Sequence, residues 1–257
     1  MPIAVLHGAA RAAIVLVTGI AAGIANGVAG GGSFITFPVL LALGLPALTA
    51  NVSSSVGVLP SYVGGIAGFR AQLAGKRRLL TELIPASVVG ALVGTALLLR
   101  GTPEEFRTVV PWLIGIATVV FAIQPLVVRV VSRVPHDHPT RMALLQIGTF
   151  VIAIYGGYFG AGLGILLLAV MGLALPDDLG TLSGLRSVLS ILINAVAATV
   201  FVIRGHLAWD VVVCLWVGTL VGGFLGTAVV LRLRPVWLRA VIVAIGAATV
   251  VRLTVGS

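Results

Sequence analysis

The sequence predicts an all-α polytopic membrane protein of about eight transmembrane helices, set out as two homologous four-helix repeats with glycine-broken helices. Three observations carry this prediction. Of 257 residues, 59% are hydrophobic and only 9% charged, where an average soluble domain has about 25% charged. The 58 residues from Ala12 through Phe69 contain no Asp, Glu, Lys or Arg. A span needs roughly 20 apolar residues, so this run holds two spans and something between them. Lastly, "SVVGALVGTA" at Ser87 returns as "TLVGGFLGTA" at Thr219, 132 residues later, which points to duplication.

Charges and turn residues divide the chain as follows. The first span runs from about Arg11 to Ala29, and no charge break follows Arg11, so it reads as a span and not as a cleavable signal. A short apolar piece, Phe34 to Leu45, cannot cross alone. The next span is Leu48 to Phe69, ended by the basic loop Arg70, Lys76, Arg77, Arg78. Leu79 to Leu99 follows, then the turn "RGTPEEFR", then Thr108 to Val128. "RVVSRVPHDHPTR" (Arg129 to Arg141) is the only long polar connection. Met142 to Pro176 is uncharged and interrupted by "GGYFGAGLG"; three spans follow, Leu182 to Ile203, Val211 to Leu231 and Val236 to Val251.

The repeat extends beyond one segment. At the same offset "RGTPEEFR" falls on "RLRPVWLR", with Pro103 on Pro235 and Arg107 on Arg239. "GIATVV" at Gly115 falls on "GAATVV" at Gly246 with a one-residue slip. Gly23 to Gly32 falls near Gly156 to Gly164, and "ANVSSSV" on "LSGLRSV". The division expected is residues 1–132 for the first repeat, 133–141 for a central polar loop and 142–257 for the second repeat.

Net charge is +9, but the basic residues lie at the ends of apolar runs and do not interleave with aromatics. That pattern serves topology and anionic lipid, not nucleic acid. With eight plain spans, one side collects Arg11, Arg70, Lys76, Arg77, Arg78, Arg129, Arg133, Arg141, Arg204 and Arg252; the other has Arg100, Arg107, Arg232, Arg234 and Arg239. Both termini are then cytoplasmic. If Phe34 to Leu45 or its counterpart crosses or re-enters, the parity changes and the halves are inverted instead of parallel.

The glycine clusters raise the question of function. "NGVAGGGSFITFP" places its weakest backbone at membrane depth. Irregular backbone survives there only where protein buries it or a watery cavity meets it. Paired interruptions in two repeats are the plan of secondary carriers, with the substrate between the halves near the midplane. A half-helix beginning near Ser33 would aim its positive end at an anion. The competing reading is close helix packing. It suits "GALVG" (Gly90, Gly94) and "GGFLG" (Gly222, Gly226) better than the consecutive Gly30, Gly31 and Gly32.

Arg186, in "LSGLRSVLSILINAV", is the sharpest side chain. No acidic residue lies inside a span to pair with it; Asp177 and Asp178 are at the mouth. It either snorkels to the interface or faces a cavity, where its fork suits an oxyanion. Ser54 aligns with Arg186 and Asn51 with Ser183; with Ser53, these are uncharged donors or helix–helix glue. The candidate binding residues are Asn26, Gly30, Gly31, Gly32, Ser33, Asn51, Ser53, Ser54, Gly160, Gly162, Gly164, Arg186 and Asn194. Tyr62 suits either a cavity wall or the lipid face. His136 and His138 read as a solvated linker, not a metal site, and His206 as interfacial. Lone Cys214 excludes a disulfide. No catalytic set or nucleotide loop is readable, so neither an enzyme nor a cofactor is expected. The expected partners are a small anion and the bilayer, with a homo-oligomer left open.

The segments "GIANGVAGGGSFITFPVLLALGLPALTANVSSS", "YGGYFGAGLGILLL" and "LINAVAATVFVIRGHLAWD" resemble the sulfite exporter TauE/SafE family of bacterial membrane permeases, across almost the whole chain. The resemblance implies a multi-pass protein of the bacterial cytoplasmic membrane that moves sulfur-containing anions such as sulfite or sulfonates. The family commonly has "AN" followed by Thr-Ser in its first duplicated segment and often a Lys in the second. Here Ser53 and Ser54, and Arg186, stand at those places. A non-transporting scaffold and an anion channel are the alternatives.

Overall fold

The structure is a computed structural model that describes residues 8–28, 30–131, 140–204, 207–230 and 243–244. Ten helices cover almost all of these: α1 (Gly8–Val28), α2 (Ser33–Ala42), α3 (Ala47–Gly57), α4 (Leu59–Gly68), α5 (Arg77–Arg100), α6 (Pro103–Val131), α7 (Thr140–Tyr158), α8 (Leu163–Ala174), α9 (Leu179–Arg204) and α10 (Trp209–Val230). Among the described residues there is no strand. Among the described residues four stretches are long and apolar enough to cross a bilayer: Gly8–Gly27, Arg77–Arg100, Leu179–Arg204 and Trp209–Gly226. Large apolar side chains such as Val17, Trp112, Ile116, Ile147 and Ile203 are exposed. That suits a lipid solvent and not water. The span expected at Val236 to Val251, the histidine loop and His206 lie outside the described residues.

Local chemistry sets the helix ends. Thr102 and Glu105 form a reciprocal capping box: the Thr102 N–H donates to Glu105 Oε2 at 2.8 Å, and the Glu105 N–H to Thr102 Oγ1 at 3.2 Å. Pro103 opens α6 where no N–H is needed. Asp178 caps α9, accepting from the N–H groups of Gly180 (2.8 Å) and Thr181 (3.1 Å) and from the Thr181 hydroxyl (2.7 Å).

Leu48 to Phe69, expected as one span, is two helices meeting at Val58. Pro60 is the cause. It has no N–H for the Val56 carbonyl, and the Ser61 N–H turns to Val58 O at 3.1 Å. The Val56 and Gly57 carbonyls are instead served from α10, by Trp216 Nε1 at 2.9 Å and Thr219 Oγ1 at 2.8 Å. At membrane depth such replacement bonds are obligatory.

Glycines weld two long parallel pairs. A Cβ added to Gly23 of α1 would lie 2.5 Å from Thr219 O, and one on Gly222 of α10 would lie 2.1 Å from Ile20 O. In the α5–α7 pair, a Cβ on Gly94 would lie 1.9 Å from Ile154 O and one on Gly157 2.2 Å from Ala91 O. Here the packing reading of "GALVG" and "GGFLG" is correct. Across the middle, α3–α4 runs antiparallel to α9. Ser53 Oγ accepts from the Ala208 N–H (3.0 Å), Asn194 Nδ2 donates to Tyr62 Oη (3.4 Å), and Gly65 and Gly184 abut Ser187 and Phe69.

Candidate functional site

Both glycine segments interrupt their helices, as expected. Between α1 and α2 the chain reverses through Gly30, at φ 78°. Between α7 and α8 it does so through Gly160 and Gly162, at φ 76° and 75°. These left-handed positions need glycine. The two breaks touch: a Cβ on Gly30 would lie 2.7 Å from Gly164 Cα, and one on Gly164 2.8 Å from Gly30 Cα. A side chain at either place would push the crossing apart.

Arg186 reaches this crossing from the second turn of α9. It is 2% exposed, so it does not snorkel. Nη2 donates to Asn26 O and Gly27 O in the last turn of α1, each at 3.3 Å. Nη1 is buried and has no hydrogen-bond partner among the described residues. It lies 3.1 Å from where a Gly30 Cβ would stand. A buried charged donor left unpaired costs several kcal/mol, on the order of the penalty for any uncompensated charge.

The breaks add donors of their own, though not all those expected. Gly30 N–H bonds back to Ala25 O and Asn26 O, Gly160 N–H to Tyr155 O, and Gly32 N–H to Asn26 Oδ1 at 2.6 Å. Among the described residues nothing accepts from the N–H groups of Gly31, Ser33, Ala161, Gly162 or Gly164. Two of these, Ser33 and Gly164, lie in the first turns of α2 and α8, where a helix carries its partial positive charge.

The remaining candidates bind protein. Asn26 places its oxygen on Gly32 N–H and its amide on Ser61 Oγ (2.8 Å), so its side chain shapes the first break. Asn51 Nδ2 donates to Tyr158 O, the end of α7, at 3.0 Å. Ser53 holds Ala208, and Ser54 pairs with Thr36 of α2 instead of facing Arg186. Helix–helix bonding, the competing reading of these residues, describes them as found. Asn194 donates to Ser190 O and Tyr62 Oη, with its Oδ1 toward Gly160. Sequence reasoning left Tyr62 undecided. It is buried, beside Arg186, and faces the carboxamides of Asn26 and Asn194. Its signal was available, because adding 132 to 62 gives Asn194, the partner position.

Apolar helices broken at touching glycines, with a buried cation at the crossing, define a multi-pass membrane transporter. The comparisons agree. The chain belongs to the sulfite exporter TauE/SafE family, whose sequence model matches residues 15–253. A "probable membrane transporter protein" of Haemophilus influenzae is 24% identical over 234 residues, covering 90% of this chain and 89% of that protein. No solved structure matches.

Proposed function

We propose that the chain is a secondary carrier, working as an exporter, for a small sulfur-containing oxyanion such as sulfite or an organosulfonate. The ligand binds where the two breaks cross, accepting from Arg186 Nη1 and from the N–H groups at the starts of α2 and α8 that have no acceptor among the described residues. The observation that carries this is the buried, unpaired Nη1 directed at that crossing. A tetrahedral or pyramidal oxyanion offers several acceptor oxygens to such a fan of donors. Efflux from a negative interior favours an anion, and the family's name supports the substrate class.

We also infer that the halves are inverted repeats, and the contacts support it. α7 ends 130 residues after α1 (Tyr158, Val28), and α10 starts 132 after α5 (Trp209, Arg77). Under those offsets the contacts exchange. Gly90 meets Phe150 and Ala153, and Gly222 meets Ile20 and Gly23; Gly94 meets Ile154, and Gly226 meets Ile24. Tyr62 and Asn194, equivalent positions, meet each other as they would on a two-fold axis. Alternating access then follows from the halves rocking about the crossing.

The test is counterflow of labelled sulfite, sulfate and methanesulfonate in proteoliposomes. A carrier shows saturable exchange of at least one, and Arg186→Gln loses it while the protein still elutes as a folded species. Wild-type exchange in that variant would favour a scaffold; unsaturable flux would favour a channel.

A further inference from the structure

We propose that the Arg186 guanidinium takes the place of a coupling cation, so that the anion moves without a co-transported metal ion or proton. The inference rests on the carrier reading above. Nη2 bonds two carbonyls, Asn26 O and Gly27 O, at the C-terminal end of the broken helix α1. Such ends carry partial negative charge, and in carriers with discontinuous helices they coordinate Na⁺ beside an anionic substrate. Here a tethered cation already holds those oxygens. The same planar group directs Nη1 at the crossing, so one side chain bridges the carbonyl pair and the anion.

The arrangement is one-sided. At the end of α7 a last-turn carbonyl, Tyr158 O, is held by the neutral amide of Asn51 at 3.0 Å. The pair of breaks therefore contains a single fixed positive charge. Among the described residues no carboxylate stands near the crossing to bind a second cation or carry a proton. The described acidic residues are Glu82, Glu104, Glu105, Asp177, Asp178 and Asp210. Glu82 is one turn into α5, Glu104, Glu105 and Asp210 lie in the first turns of α6 and α10, and Asp177 and Asp178 precede α9. A guanidinium that remains in the protein contributes attraction without crossing the membrane. The charge translocated is then the anion's own.

The experiment is uptake of labelled sulfite by wild-type proteoliposomes in NaCl, KCl or choline chloride, at clamped pH and with imposed membrane potentials. Flux should agree among the salts to within about twofold and respond to potential as movement of an uncompensated anion. A loss of about tenfold or more in choline overturns the proposal, as does collapse with the proton gradient or indifference to potential. Arg186→Lys keeps charge but cannot bridge both sides. It should fold, remain indifferent to salt, and raise KM about tenfold. Arg186→Ala should regain flux with methylguanidinium; if it matches wild type in choline, the proposal is wrong. Should wild-type vesicles carry none of sulfite, sulfate and methanesulfonate in any salt, the carrier reading fails and takes this inference with it. Transport that requires Na⁺ sinks this inference alone.

Discussion

An arginine at the centre of a bilayer costs about 2.5–3.5 kcal/mol on insertion scales, and Arg186 meets that cost with carbonyls, not a carboxylate. Its neighbour Tyr62 accepts from Asn194, which leaves the phenolic proton for another acceptor. Tyr62→Phe should therefore fold normally but raise the KM for sulfite exchange about fivefold, for the loss of about 1 kcal/mol of hydrogen bonding. An unchanged KM would place the hydroxyl outside the site. The Arg186 charge was legible in the sequence because it stands alone in an apolar run. Its carbonyl partners, 160 and 159 residues away, were not. Asn26 was legible as polar and deep, but its role in shaping the break depends on a turn that only backbone geometry reveals. Outside the membrane, Asp178 is held below the ordinary carboxylate range, first by the Thr181 hydroxyl and then by backbone N–H groups. A depressed pKa contributes stability that is present above the ordinary value of 3.8 and lost as pH falls through the lowered one. Thermal unfolding of wild type should thus fall toward that of Asp178→Ala below about pH 4.

Element boundaries were the easiest feature to read, since charges and Gly/Pro turns flank apolar runs of helical length. α5, α9 and α10 begin within a few residues of their expected starts. Pro60 was passed over because no charge accompanies it, and its consequence appears only when α10 supplies the missing donors. Trp216→Phe removes one of these, leaving the Val56 carbonyl unserved. It should lower stability by about 1–3 kcal/mol, the cost of an orphaned buried acceptor. A thermal midpoint in detergent equal to wild type would show that α4 does not depend on that bond. The glycine seams make a complementary claim. Gly94→Ala and Gly222→Ala would each drive a methyl into backbone oxygen, at 1.9 Å and 2.1 Å. Overpacking of this kind costs about 1–3 kcal/mol, whereas Gly8→Ala, with open space around it, should be silent.

The orientation of the whole molecule depends on what α2 does. Thr36 pairs with Ser54, Leu45 closes toward α3, and Asn26 lies level with Ser61, so α2 returns against α1 and α3. On the inverted-repeat reading proposed above, this half-length return before a full crossing makes the count of passes in the first half odd. This changes which charges share a face. Lys76 pairs with Asp177, and Leu73 packs on Gly184, so the 70–78 loop and the start of α9 are at one end. Following α5 and α6 brings Arg129 and Arg141 to that end as well, while Arg11, Arg100, Arg107 and Arg204 fall at the other. Under the inverted-repeat proposal the cluster Arg70, Lys76, Arg77, Arg78 outweighs the described basic residues opposite it, and the positive-inside rule then predicts a cytoplasmic position for its end. On that proposal the start of α1 is extracytoplasmic, the reverse of what eight plain spans would give. Single cysteines in a Cys214→Ser background test this directly. In intact cells Ala9→Cys should react with a membrane-impermeant maleimide, and Ala74→Cys should react only after the cells are opened. If neither cysteine reacts until the cells are opened, both lie on the cytoplasmic side, as eight plain crossings with parallel halves require.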